Sequence, residues 1–90
     1  GQGMTLDEQV ARGDRAARLL ADPLLVEAFD VLERELHQAW LNSPAGHERE
    51  REQIWLMVQL HRRVKGHLEE ATKTGRIAQL QIENEEQRRR

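Results

Sequence analysis

Ninety residues suffice for one small helical domain and are too few for a two-domain enzyme. Ala, Glu, Lys, Leu and Arg supply 47 of the 90 residues, close to the ~50% share that marks long helices and coiled coils. Zero Cys excludes a disulfide scaffold, a thiolate metal site and a cysteine nucleophile, and a net charge of -2 gives no global pull toward a polyanion.

Gly1-Gln2-Gly3 ahead of Met4 reads as an expression-tag remnant, leaving 4–90 as a single helical domain. Thr5-Leu6-Asp7-Glu8 matches a capping box, in which the Thr5 hydroxyl and the Glu8 carboxylate each satisfy the other residue's amide. A first helix is therefore expected over about 5–20. Val10, Ala17, Leu20 and the pair Ala16 and Leu19 give it a loose apolar stripe, with Gly13 as a soft spot costing about 1 kcal/mol relative to Ala.

Asp22-Pro23 marks the next start, because Asp is a favoured N-cap and Pro at the first helical position has no amide to waste. The second helix, 23–42, has the clearest amphipathic pattern: Leu25, Phe29, Leu32, Leu36 and Trp40 on one face, with Glu27, Asp30 and Glu33 among the polar residues of the other. Residues 42–46, Asn-Ser-Pro-Ala-Gly, break the periodicity within a connection short enough to make its two helices antiparallel neighbours.

The third helix is expected over about 47–85. With Ile54 as heptad position a, the a series is Ile54, His61, Leu68, Gly75 and Ile82, and the d series is Met57, Val64, Ala71, Ala78 and Glu85. Helix 2 is too short to cover all of this rod, so the distal half needs another partner or frays. Thr72-Lys73-Thr74-Gly75 concentrates poor helix formers, which leaves a kink or an end at Gly75 open. Ile54-Trp55-Leu56-Met57-Val58 puts apolar side chains all round one and a half turns, and a two-helix hairpin buries only one side of them. The other sides need helix 1 folded across or a second subunit, and Trp55, Leu56, Leu60, Ile77 and Leu80 are the candidate oligomer interface, since a chain this small completes its core most readily by self-association.

The chemistry-bearing residues are few. His37, His47, His61 and His67 lack the i, i+3 or i, i+4 spacing that aims two imidazoles at one ion, so they read as structural or solvated residues and no metal is expected. Alternating charge over Glu48–Glu52 reads as a solvated first turn with acids near the positive helix end. No phosphate loop or nucleophile elbow is present, and the lone serine, Ser43, sits in the Pro/Gly turn; neither a catalytic residue nor a cofactor is expected. Arg62, Arg63, Lys65, Lys73 and Arg76 form the most basic window and are the candidate nucleic-acid contacts. Nucleic acid is the less favoured partner, because no aromatic residue follows Lys73 to stack bases and no recognition helix is visible. No apolar run reaches the ~18–20 residues that span a bilayer, so no membrane role and a cytoplasmic location are expected.

Three segments, ARGDRAARLLADPLL from Ala11, the Ala39-Trp40 pair before the Pro turn, and RRVKGHLEEATKTGRIA from Arg62, resemble short all-helical proteins encoded near the packaging and head genes of tailed phages and prophages. A looser similarity links the chain to small terminase subunits, although their DNA-binding helix-turn-helix is not visible here. The resemblance implies a role in virion assembly or DNA packaging, in the cytoplasm of the host cell, and carries over no site residue. The expected architecture is all-α: a short N-terminal helix and an antiparallel hairpin whose second arm is long and coiled-coil-like. The expected function is a non-enzymatic protein–protein interaction and oligomerisation module. Two alternatives stand beside it: a nucleic-acid-binding packaging or regulatory protein, and an antagonist of a host protein acting through the acidic face of helix 2.

Overall fold

A computed structural model describes residues 3–89. Gly1 and Gln2 of the tag-remnant reading, and Arg90 of the terminal arginine triplet, lie outside those residues. The described residues form three helices and no strand: α1 (Leu6–Ala21), α2 (Pro23–Asn42) and α3 (Glu48–Arg88).

Local chemistry sets each boundary. The Thr5 amide donates to Glu8 Oε1 at 2.9 Å and the Glu8 amide donates to Thr5 Oγ1 at 3.1 Å, closing the capping box at the start of α1. Those two bonds, the one from the Thr5 backbone first, hold the Glu8 carboxyl below the ordinary glutamate range. At α2 the Asp22 carboxylate accepts from the amides of Leu24 and Leu25 at 2.9 and 3.2 Å, with Pro23 behind it. Ser43 ends α2 by donating both its amide and its hydroxyl to the Trp40 carbonyl, at 3.2 and 2.7 Å. The turn then passes through Gly46, whose φ of +89° is strained for any side-chain-bearing residue.

Helix α3 runs for 41 residues, about 60 Å at 1.5 Å per residue, without a break at Gly75. Part of the reason is local. The Thr72 hydroxyl donates to the Leu68 carbonyl at 3.1 Å, so a side chain that tends to compete with helical bonds is accommodated by one.

Contacts divide the chain into two compact units, each a pair of antiparallel helical segments. The first combines α1 with α3 from His67 onward. In it Arg12 Nη2 donates to His67 Nε2 at 3.3 Å, Gly13 meets Ala71 and Gly75, and Thr5 to Asp7 sit with Ile82, Glu85 and Arg89 around a shallow hollow. Its centre is made of almost nothing but backbone. A Cβ added to Gly13 would lie 2.8 Å from the Gly75 Cα and 2.9 Å from the Ala71 carbonyl oxygen, and one added to Gly75 would lie 2.8 Å from the Gly13 Cα. Ala16, Ala71 and Ala78 are buried alongside. Gly13 is therefore the contact point of the unit rather than a soft spot: what the isolated helix loses in propensity, the close approach of two backbones offsets through dispersion contacts. The distal part of α3 does have its own cover, and α1 supplies it.

The second unit is Asp22–Gly66, the hairpin of α2 with the first part of α3. Here the seam is built from larger groups. Leu36 and His61 are buried, and Leu25, Phe29, Ile54, Val58 and Lys65 are half-buried. Phe29 meets the His61 ring edge-on with centroids 5.2 Å apart, and the Lys65 ammonium lies 6.0 Å from the Phe29 centroid. Nearer the turn the Arg51 guanidinium lies 4.2 Å from the centre of the Trp40 ring.

Candidate interaction surface

Heptad counting placed Met57 and Val64 in the seam of α3, and this is corrected by their exposure of 49% and 51%. In the hairpin unit the residues of α3 turned toward α2 are Ile54, Val58, His61 and Lys65, stepping by four, three and four. The d series is thus uncovered at Met57 and Val64 and buried at Ala71 and Ala78. Apolarity alone favours Val64 over Lys65 for a buried place. Lys65 instead shares the phase of Ile54, Val58 and His61, and its ammonium lies 6.0 Å from the Phe29 centroid.

With Met57 and Val64 turned outward, Leu56 and Leu60 join them. Leu56 is 54% exposed and Leu60 62%. At 100° per residue these four side chains fall within an arc of about 100° on α3, an uninterrupted apolar stripe two turns long. Leu56 and Leu60 were expected on an exposed face, and they are on it. Trp55, the third residue named with them, lies elsewhere: it shares with Trp40 a groove of about 710 Å³ on the hairpin unit, lined also by Leu36, Val58, His37 and His61. Ile77 and Leu80 are exposed too, but they belong to the other unit.

His37 and His61 line the same groove, and His47 and His67 lie elsewhere. His47 Nδ1 lies 3.4 Å from Glu50 at the start of α3, and His67 accepts from Arg12. His61 is packed against Phe29 with its Nδ1 buried and unpartnered. No group of three or more His, Asp or Glu among the described residues is arranged to hold a metal ion.

The basic window divides. Arg62, Arg63 and Lys65 belong to the hairpin unit and Lys73 and Arg76 to the other. Lys65 is half-buried, while Arg62 lines the groove and Arg63 stands exposed. No helix among the described residues is long and apolar enough to cross a membrane. Compared with known proteins, the chain matches no family model, no curated sequence and no solved structure.

Proposed function

We propose that this chain is a non-enzymatic helical interaction module that self-associates, working in phage assembly or DNA packaging in the host cytoplasm. One observation carries the reading: among the described residues no large side chain is fully buried, while Leu56, Met57, Leu60 and Val64 form a contiguous exposed stripe. A pair of helices has one seam between them, and apolar residues off that seam stay wet until another surface arrives. Scattered exposed leucines would need no explanation; a stripe at helical spacing does. The phage setting rests on the sequence resemblance alone. A nucleic-acid role draws less support, because the basic residues are shared between two units.

Size-exclusion chromatography with light scattering tests the proposal. At micromolar concentration the expected mass is a multiple of the 10.5 kDa chain, and replacing Leu56 and Leu60 together by Ser returns it to that of one chain. A single-chain mass for the unaltered protein at several hundred micromolar would rule self-association out.

A further inference from the structure

The stripe carries a charge pattern along one edge that specifies what covers it. Glu52 and Arg63 both lie on the edge of the stripe remote from the α2 seam, within about 40° of Leu56 at 100° per residue. Both are exposed, and neither forms an ion pair among the described residues. They are eleven residues apart on one straight helical run, about 16 Å, and the midpoint between them falls between Met57 and Val58, inside the stripe itself.

We infer that the occupant of the stripe is a second copy of this chain, docked antiparallel about a two-fold axis beside Met57, so that Glu52 of each copy pairs with Arg63 of the other. This rests on the self-association reading and adds partner, orientation and register to it. The central apolar residues fit the same axis, while Val64 lies beyond them, level with Arg51 of the other copy. Met57 meets its own counterpart, and Leu56 of one copy comes within one residue of level with Leu60 of the other. In an antiparallel helix pair related by a perpendicular two-fold, residues on the same edge face each other, so each Glu52 meets an Arg63 and the contact is made twice. In a parallel pair opposite edges of the two helices meet instead, so Glu52 and Arg63, which share one edge, do not face each other. The antiparallel pairing of two hairpins gives the short four-helix layer in which two-helix units commonly bury their surplus apolar face.

Charge exchange distinguishes this geometry from every other docking. Glu52→Arg and Arg63→Glu, each alone, set like charges opposite one another at two places. Each is expected to weaken the dimer by about tenfold at low ionic strength, with the difference shrinking as salt is added. The equimolar mixture of the two single variants restores complementarity at both places, as does the double variant by itself. Both are expected to associate within about twofold of the unaltered chain under the same conditions. Sedimentation velocity gives the affinities, native mass spectrometry identifies the mixed dimer, and unchanged circular dichroism verifies that each variant is folded. A dimer whose affinity ignores both single substitutions, or a mixture no tighter than its components, overturns the antiparallel register while leaving self-association standing. A monomeric unaltered chain overturns both.

Discussion

Where α1 meets α3, the contact is made by residues with almost no side chain: Gly13 against Gly75, with Ala16, Ala71 and Ala78 buried beside them. Where α2 meets α3, it is made by Phe29, Leu36 and His61, and apolar residues are left over on the other side. Small residues let two helices close on each other completely, because no third element is needed to fill the space that bulky side chains hold open. Large residues bury more surface per contact, yet a single pair of helices cannot surround them. The first arrangement closes its own seam, although Ile77 and Leu80 stay exposed outside it; the second leaves a contiguous apolar stripe over.

The difference can be broken most severely at Gly75. Its Cβ position is blocked by backbone atoms of Gly13 and Gln9 at 2.8 and 3.0 Å, and backbone cannot swing aside as a side-chain tip can. Gly75→Leu is expected to lower unfolding stability by roughly 3 kcal/mol or more, and Gly75→Ala by about 1–2 kcal/mol after its gain in helix propensity is set against the overlap. Urea denaturation followed by circular dichroism measures both. An Ala variant as stable as the parent would show that the two backbones are not in contact.

Asp22 offers a smaller perturbation in the hairpin unit. Asp22→Ala removes the acceptor for the Leu24 and Leu25 amides and is expected to cost about 1 kcal/mol in the same denaturation experiment. Gly66 sharpens the contrast between glycines by reversing the sign. Nothing lies within 4 Å of a Cβ placed there, so Gly66→Ala is expected to gain up to about 1 kcal/mol. The identical substitution thus stabilises at one glycine of α3 and destabilises at another.

The smallest effect belongs to the α1 cap. Hydrogen bonds from Thr5 hold the Glu8 pKa below that of the unfolded chain, so their stabilising contribution is present above the unfolded value and is lost as pH falls through the lower folded one. Comparing the parent with Glu8→Gln over an acid titration isolates it: the stability difference between them is expected to narrow on acidification. A constant difference down to the acid limit would mean that the Glu8 charge contributes nothing to the cap.

Much of this molecule is legible from its sequence, because the governing physics is local. The Thr5–Glu8 box, the Asp22-Pro23 start and the Ser43–Gly46 turn are each satisfied by atoms within a few residues, so a short window of sequence contains both partners. The amphipathic face of α2 is legible in part: Leu25, Phe29 and Leu36 turn inward, whereas Leu32 and Trp40, expected on the same face, are exposed. What stays hidden depends on elements far apart in the chain. Nothing near Gly13 reveals that Gly75 will be its neighbour, and locally a helical glycine registers only as a cost. The choice between Val64 and Lys65 is hidden too, since it follows from the phase at which α3 meets α2 through Ile54, Val58 and His61 rather than from the hydrophobicity of either residue. On the candidate surface, the apolar surplus points to Leu56, Leu60 and Trp55, all exposed, although Trp55 opens onto the groove beside Trp40; heptad counting assigns Met57 and Val64 to the seam, and they are exposed.

Because the chain has no cysteine, Met57→Cys would report on the stripe through a single thiol. The most direct measurement is the rate at which that thiol, reduced beforehand and freed of reductant, is labelled by excess small maleimide without oxygen as protein concentration is raised from nanomolar to several hundred micromolar. If a second copy covers the stripe, labelling is fast on dilution and slows many-fold as the chains associate. A rate that stays fast and unchanged across the whole range would contradict it, leaving these leucines and this methionine exposed to water with no copy of the chain to cover them.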